Sequence, residues 1–333
     1  MFKRITVQQT KINSTFKESP KKKLHQYILI DKRFLHIEDK INFDIFYHDT
    51  PTHMTLYLQS DSVIDLKQKD EFEKIEQLYT LKSEREEYDT FLESHIQNVL
   101  DDKSLTIDEK TDLVYESTTE LTHSLYKNPN ALKNVQRTKN IVTPILESIL
   151  YNNDTISSYI KIIEHDYYTH THSLNVSIYA LCLGAELNIS QKRLNILGSA
   201  ALLHDLGKSK INLDIINKEG KLTEDEFIQM KMHPAYGYDI ALEIGIKSVD
   251  ILDGIRHHHE KLDGSGYPDG LQKDEITLFP RIIAVCDIFD ALTTKRSYKD
   301  AMSSFDVLLF MKTKMTSHLD SKILNTFIKM LHK

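Results

Sequence analysis

The chain has 333 residues, 40% hydrophobic and 27% charged, enough apolar material for about two domains with packed cores. Its 42 basic and 49 acidic residues leave a net charge of −7, which excludes a binder that grips DNA through a chain-wide positive field, though a local basic patch can still hold one phosphodiester. No run approaches the ~18–20 apolar residues of a membrane span, and two cysteines, Cys182 and Cys286, cannot form a disulfide framework. The start of the chain is basic but has no apolar segment of the secretory type, so a cytoplasmic location is expected.

In chain order, residues 27–59 read as strands: YILI, HI, FDIFY and MTLYLQS cluster or alternate β-formers, with HDTPTH as a turn. A helix is predicted from about Lys67 to Gln77, then a short strand feeding a longer helix through LYTLKSEREEYDTFLESHIQNVL. Residues 1–105 are therefore expected to form a small α/β regulatory or interaction domain. Residues 106–151 read as a helical connector, broken by NPN at 128–130 and by Pro144. From 152 to 333 the apolar period is 3.6 throughout, which predicts an all-α bundle and an α+β chain overall. Glycine marks the same division: all ten glycines lie at or after Gly184, and three fall between Gly264 and Gly270.

Sixteen histidines are many for this length, and their placement is more telling than their number. Five helical segments bring His172, the pair His204-Asp205, His233, the run His257-His258-His259, and Asp287 to or near a helix end. Imidazole and carboxylate are the donor set of first-row divalent metals, and bundles build such sites from side chains projecting inward. The His-Asp dipeptide alone is weak evidence. Chance gives about one, and the chain has three, His48-Asp49, His165-Asp166 and His204-Asp205. Only the third closes an apolar helix with a lysine shortly after, as AALLHDLGK; the first reads as a polar turn and the second as a helix end. Adjacent helical positions are ~100° apart, so the three consecutive histidines cannot all face one metal.

These motifs resemble the HD-GYP family, a branch of the HD phosphohydrolases. The resemblance covers roughly residues 155–330 and runs through HSLNV, HDLGK, MKMHPAYG, HHEKLDGSGYPDGL and RIIAVCDIFDALTTKRSYK, with the GYP triplet at Gly266-Tyr267-Pro268. It implies a helical catalytic domain that hydrolyses cyclic di-GMP to linear pGpG, with GMP as a further product, through attack by a metal-bridging hydroxide. Carried over residue by residue, it makes His172, His204, Asp205 and Asp287 the ligands of one cation. Asp205 would bridge to a second cation held by His233, His258 and His259, while His257 is left as a neighbour. Two cations sharing a carboxylate ~3.5–4 Å apart can clamp a phosphoryl group and acidify a common water.

Lys208 is placed by its spacing on the face of His204 and Asp205, provided the helix continues, where its ammonium can reach the phosphate. Arg296 and Lys299 follow Asp287 at spacings that resemble the family's phosphate- and base-contacting positions, and Tyr267 is a candidate substrate contact. Asp290, one turn after Asp287, reads as a hydrogen-bond partner and not a ligand. His170 competes with His172 as the first ligand, but His172 begins the apolar helix. Some members carry a further carboxylate one turn before the first histidine, associated with a third metal. Here that position is Tyr168, with Glu164 and Asp166 nearby, which favours two ions, with iron or manganese expected. The partner implied is a cyclic dinucleotide, with no DNA; residues 1–151 are the expected surface for a homodimer or protein partner. The alternatives are a non-catalytic receptor, against which the complete ligand set argues, and a phosphohydrolase for another cyclic dinucleotide.

Overall fold

The computed structural model describes residues 26–50, 53–152, 154–165, 171–294 and 302–332, with nothing stated of the side chains of 164 and 165. The chain divides into two compact units, Met1–Phe91 and Leu92–Lys333.

The first unit holds four strands, β1 (Tyr27–Ile30), β2 (Ile45–Thr50), β3 (His53–Leu58) and β4 (Leu78–Leu81), in the order β1-β4-β2-β3. All pairings are antiparallel, so this unit is α+β in the strict sense and not an alternating α/β fold. Helix α1 (Leu66–Lys74) starts where Asp65 and Gln68 form a reciprocal cap. It contributes Phe72 to a core with Phe34, Phe43, Ile45 and Leu78, all nearly inaccessible to solvent. Helix α2 (Arg85–Asp101) runs through the boundary between the units.

The second unit is helical. Helices α3 (Ile107–Lys127), α4 (Asn134–Tyr151) and α5 (Asp154–His165) lead to α6 (His172–Glu186) and α7 (Gln191–Leu203). Short helices α8 (Leu213–Ile216) and α9 (Glu224–Met230) precede α10 (His233–Glu243), α11 (Val249–His257), α12 (Leu278–Thr293), α13 (Ser304–Lys314) and α14 (Ser321–Leu331). Helix α6 is buried on every side from Ser173 to Gly184, because it packs against α7, α12 and α14 at once. That is why its sequence is apolar all round and lacks a polar stripe.

Helices α3 and α4 pack on α6 and α7 within the second unit. The NPN stretch does separate α3 from α4, but Pro144 does not break α4. The proline removes one N–H from the ladder, and its ring is buried in the core, where packing offsets the lost hydrogen bond. Among the described residues no helix is long and apolar enough to cross a membrane.

Candidate metal centre

Helix ends supply most of the centre. His172 is the first residue of α6, His204 directly follows α7, His233 is the first residue of α10, and His258 directly follows α11. Asp287 differs from the expectation of a helix-end position: it lies in the interior of α12, whose own hydrogen bonds leave the carboxylate to project inward. The local reason for the meeting of α7 and α10 is Gly207. A Cβ there would stand 1.9 Å from the His233 carbonyl oxygen and 2.3 Å from the Gly237 nitrogen, so only glycine lets the turn after Asp205 press against the start of α10.

Three of the histidines are oriented alike. His204, His233 and His258 each donate Nδ1–H to the carbonyl three residues earlier, on Ala201, Met230 and Ile255, at 2.7, 2.7 and 2.8 Å. A carbonyl only accepts, which fixes the tautomer and turns each bare Nε2 inward. His172 is oriented by a carboxylate instead, donating Nδ1–H to Asp290 at 2.6 Å. Asp290 is wholly buried and acts as the hydrogen-bond partner expected of it.

The inward atoms fall into two sets around Asp205. Its Oδ2 lies 3.3 Å from His204 Nε2 and 3.6 Å from His172 Nε2, while Oδ1 lies 3.3 Å from His233 Nε2. His172 Nε2 is 3.2 Å from Asp287 Oδ1. The ligand atoms of His172, His204 and Asp287 come within 4.8 Å of one another, as do those of His233, His258 and His259, while those of His204, Asp205 and His258 do so across the two sets. His259 presents Nδ1, 3.9 Å from Asp287 Oδ2.

The residues fit a pair of cations on several grounds. His172 Nε2, His204 Nε2 and Asp205 Oδ1 are buried with no hydrogen-bond partner, a costly state unless something else satisfies them. His233 Nε2 and His258 Nε2 face each other at 3.3 Å, although both rings carry their proton on Nδ1. Two opposed lone pairs at that distance call for a positive ion. Burial drives His233 down to about 4 and His259 down to about 3, and pushes His258 lower than usual too, so these rings are neutral donors at neutral pH. Burial alone would raise Asp205, but the neighbouring His204 and Lys208 hold it well below the usual carboxylate range. Asp287 is likewise held low, against its burial, by the His172 ring 3.2 Å away and the other histidines beside it. Neutral imidazole and ionised carboxylate are the states that bind metal.

Around this centre, Lys208 pairs with Asp205 Oδ2. The expected continuation of the helix does not occur. Helix α7 ends at Leu203 and a 3-10 turn spans Leu206–Lys210, yet the three-residue spacing still returns the ammonium to Asp205. The ring of Tyr267 lies 4.8 Å from that of His259, tilted by 33°. His257 points away from the centre, bonding Asp253 through Nδ1 at 2.6 Å and Asp269 through Nε2 at 2.9 Å. His48 and Asp49 lie in β2 of the first unit. Arg296, Lys299, Tyr168, Asp166 and His170 lie outside the described residues, as does the side chain of Glu164.

Sequence reading missed Glu260, which is buried and whose carboxylate accepts from the backbone of Asp269, Gly270 and Leu271. The signal was an acid directly after two ligands and before a glycine-rich loop whose N–H groups need acceptors. Tyr126 was also missed: its hydroxyl donates to the Leu202 carbonyl at 2.7 Å and ties α3 to the end of α7.

Residues 152–323 match the family model described as HD domain. A cyclic di-GMP phosphodiesterase of Pseudomonas aeruginosa, PA4108, is 34% identical over 189 residues, 57% of this chain and 45% of that protein. A 3'3'-cGAMP-specific phosphodiesterase of Vibrio cholerae, phosphodiesterase 3, is 39% identical over 166 residues, 50% of this chain and 36% of that one. The chain thus spans less than half the length of these curated relatives. The solved structure of Bd1817, an HDG"Y"P protein of Bdellovibrio bacteriovorus, shares the fold with a TM-score of 0.66 at 20% identity, covering 92% of this chain and all of that one. With its family match over half its length and its ordered HD and GYP motifs, the chain belongs to the HD-domain family, in the HD-GYP branch.

Proposed function

We propose that this chain is a metal-dependent phosphodiesterase that hydrolyses cyclic di-GMP to linear pGpG. The observation that carries the reading is the orientation of Asp205, whose two carboxylate oxygens face two different ligand sets. His172, His204 and Asp287 would hold one divalent cation and His233, His258 and His259 the other, with Asp205 shared. Iron and manganese suit this mixture of imidazole and carboxylate donors. When bound, such a pair supplies positive charge to the phosphoryl oxygens and lowers the pKa of a water between them.

The remaining work falls to the chain's own groups. Carbonyls of Ala201, Met230 and Ile255 hold three imidazoles in their binding tautomer, and the Asp290 carboxylate orients His172 so that its Nε2 faces the centre. Lys208, partly exposed beside Asp205, offers an ammonium to a non-bridging phosphoryl oxygen as charge builds there. Tyr267 lies against the side of His259, where its ring would contact the ligand. Arg296 and Lys299 would complete the grip on phosphate or base, and residues 1–151 would carry regulation or a protein partner.

A second substrate, 3'3'-cGAMP, is favoured by the 39% identity to a phosphodiesterase specific for it. Chromatography of products from cyclic di-GMP, 3'3'-cGAMP, cyclic di-AMP and linear pGpG separates the readings. Conversion of cyclic di-GMP to pGpG with the highest kcat/KM is expected. Preference for another substrate redirects the assignment, and tight binding without turnover makes the chain a receptor.

A further inference from the structure

Glu260 has no place in the ligand set, yet it is only 5% exposed and immediately follows His259. A buried carboxylate needs partners. Three lie on one short segment: the N–H groups of Asp269, Gly270 and Leu271, at 2.7, 3.0 and 3.1 Å. These close a loop that leaves the metal centre at residue 261 and returns at 269–271. On the outgoing side the loop backbone presses on Glu260 itself. A Cβ on Gly266 would stand 2.5 Å from both Glu260 Cα and Lys261 N. Between these anchors, Tyr267 donates its N–H to the His259 carbonyl at 3.3 Å and lays its ring beside the His259 ring.

A second tie is weaker in kind. Asp269 receives a two-pronged bond from Arg256 at 2.7 and 2.8 Å and one from His257, but these side chains are partly solvated, where ion pairs contribute little. The buried carboxylate, accepting three backbone donors, is the stronger device. The loop needs one, since Gly264 and Gly270 adopt positive φ and glycine-rich chain is entropically costly to order.

We propose that Glu260 is the positioning residue that fixes the 263–272 loop and, through it, holds Tyr267 as the wall of the His233, His258 and His259 site. The kinetic part of this proposal rests on the phosphodiesterase reading; the structural part does not. Glu260 touches neither cation ligand atoms nor substrate and acts through Tyr267.

The test uses the full chain as Glu260→Gln, Asp269→Asn, Tyr267→Ala and the Glu260→Gln/Tyr267→Ala double variant, each loaded with Co²⁺. Amide exchange of the 263–272 segment, Co²⁺ content and visible absorption, and KM and kcat for cyclic di-GMP are read. Glu260→Gln should raise loop exchange ~10-fold or more, keep two ions, shift the Co²⁺ bands, and raise KM ~10-fold with kcat within ~3-fold, the pattern of lost uniform binding. In the Tyr267→Ala background the same change should move neither the bands nor KM further, because residues acting through one another are non-additive. Asp269→Asn should raise exchange less than ~3-fold.

Unchanged loop exchange in Glu260→Gln overturns the proposal, as do additive effects in the double variant. Should Glu260→Gln not fold, Asp269→Asn decides: an exchange increase above ~10-fold would make the exposed tie the main anchor and overturn the assignment. A parent that cleaves no cyclic dinucleotide sinks the proposed function alone, since exchange and Co²⁺ absorption still judge Glu260.

Discussion

The two halves of the centre are built from opposite materials. His172, His204 and Asp287 form an acid-rich set, in which His172 is gripped by Asp287 on one ring nitrogen and Asp290 on the other. Burial would lower His172, but those carboxylates overcome it and push the imidazole up to about 9. His233, His258 and His259 form a set of neutral nitrogens, all driven down by burial. The second set has no carboxylate of its own, so its charge balance depends on Asp205 Oδ1. In the proposed centre the composition of the weaker half thus favours a bridge as much as the geometry does.

The largest expected effect follows from removing that bridge. Asp205→Asn is nearly isosteric but cannot offer an anionic oxygen to each side, so metal content should fall from two ions per chain toward none, with hydrolysis lost. Elemental analysis beside circular dichroism checks this. A folded variant that retains both ions and normal turnover would refute the shared centre, whatever the family.

The comparison sharpens when each half is broken alone. Asp287→Asn should empty mainly the acid-rich set, and His258→Ala mainly the nitrogen set, leaving about one ion per chain in each case. Equal loss of both ions in both variants would mean that the two sets are a single cooperative site and that the contrast drawn between them has no functional meaning.

How much of this was legible in the sequence depends on the kind of interaction. The residues that cluster at the candidate centre were readable because motifs put His204-Asp205, His233 and His258-His259 at helix ends, and the 3.6 period located those ends. The bundle was readable for the same reason, since α6, α7 and α12 are apolar enough to be interior. What periodicity does not carry is the accessory work of the backbone. Nothing in the sequence shows that His204, His233 and His258 share one carbonyl-donation geometry, that Glu260 gathers three loop amides, or that Pro144 sits inside an unbroken helix. The sheet was recognised as β-rich, but its antiparallel order depends on contacts remote in sequence. Lys208 was placed correctly beside Asp205 on a wrong premise, because a 3-10 turn and an α-helix both bring residues three apart together.

Lys208 gives the next effect in size. It belongs to neither ligand set, so Lys208→Ala should keep both ions and still lose ~10²–10³ in kcat, about 2.7–4 kcal/mol of transition-state stabilisation, by analogy with loss of an oxyanion donor. Turnover equal to the parent's would reduce Lys208 to a counter-charge for Asp205. A loss of metal in this variant would instead show that the ammonium stabilises the bridge itself.

The smallest expected effect is the most specific to the acid-rich half. In Asp290→Asn an amide oxygen can still accept the Nδ1–H of His172, so the ring stays oriented, but the negative charge behind it is gone. A less basic imidazole is a weaker donor, and the first cation should bind ~10-fold less tightly, the low end for partners that orient metal ligands. The sign of the pH dependence follows from the same charge. His172 in the metal-free parent holds its proton up to about pH 9, so below that pH a cation must displace a proton, and parent affinity falls as pH falls. Without Asp290 the push from Asp287 remains but that from Asp290 is lost, so the imidazole pKa falls below the parent's and the variant keeps its affinity further down the scale. Titration of metal-free protein with Mn²⁺ should therefore show the widest gap between parent and variant near pH 9, narrowing steadily as the pH is lowered toward ~6.5. A gap that stays constant across that range would show that Asp290 fixes only the orientation of His172 and not its proton.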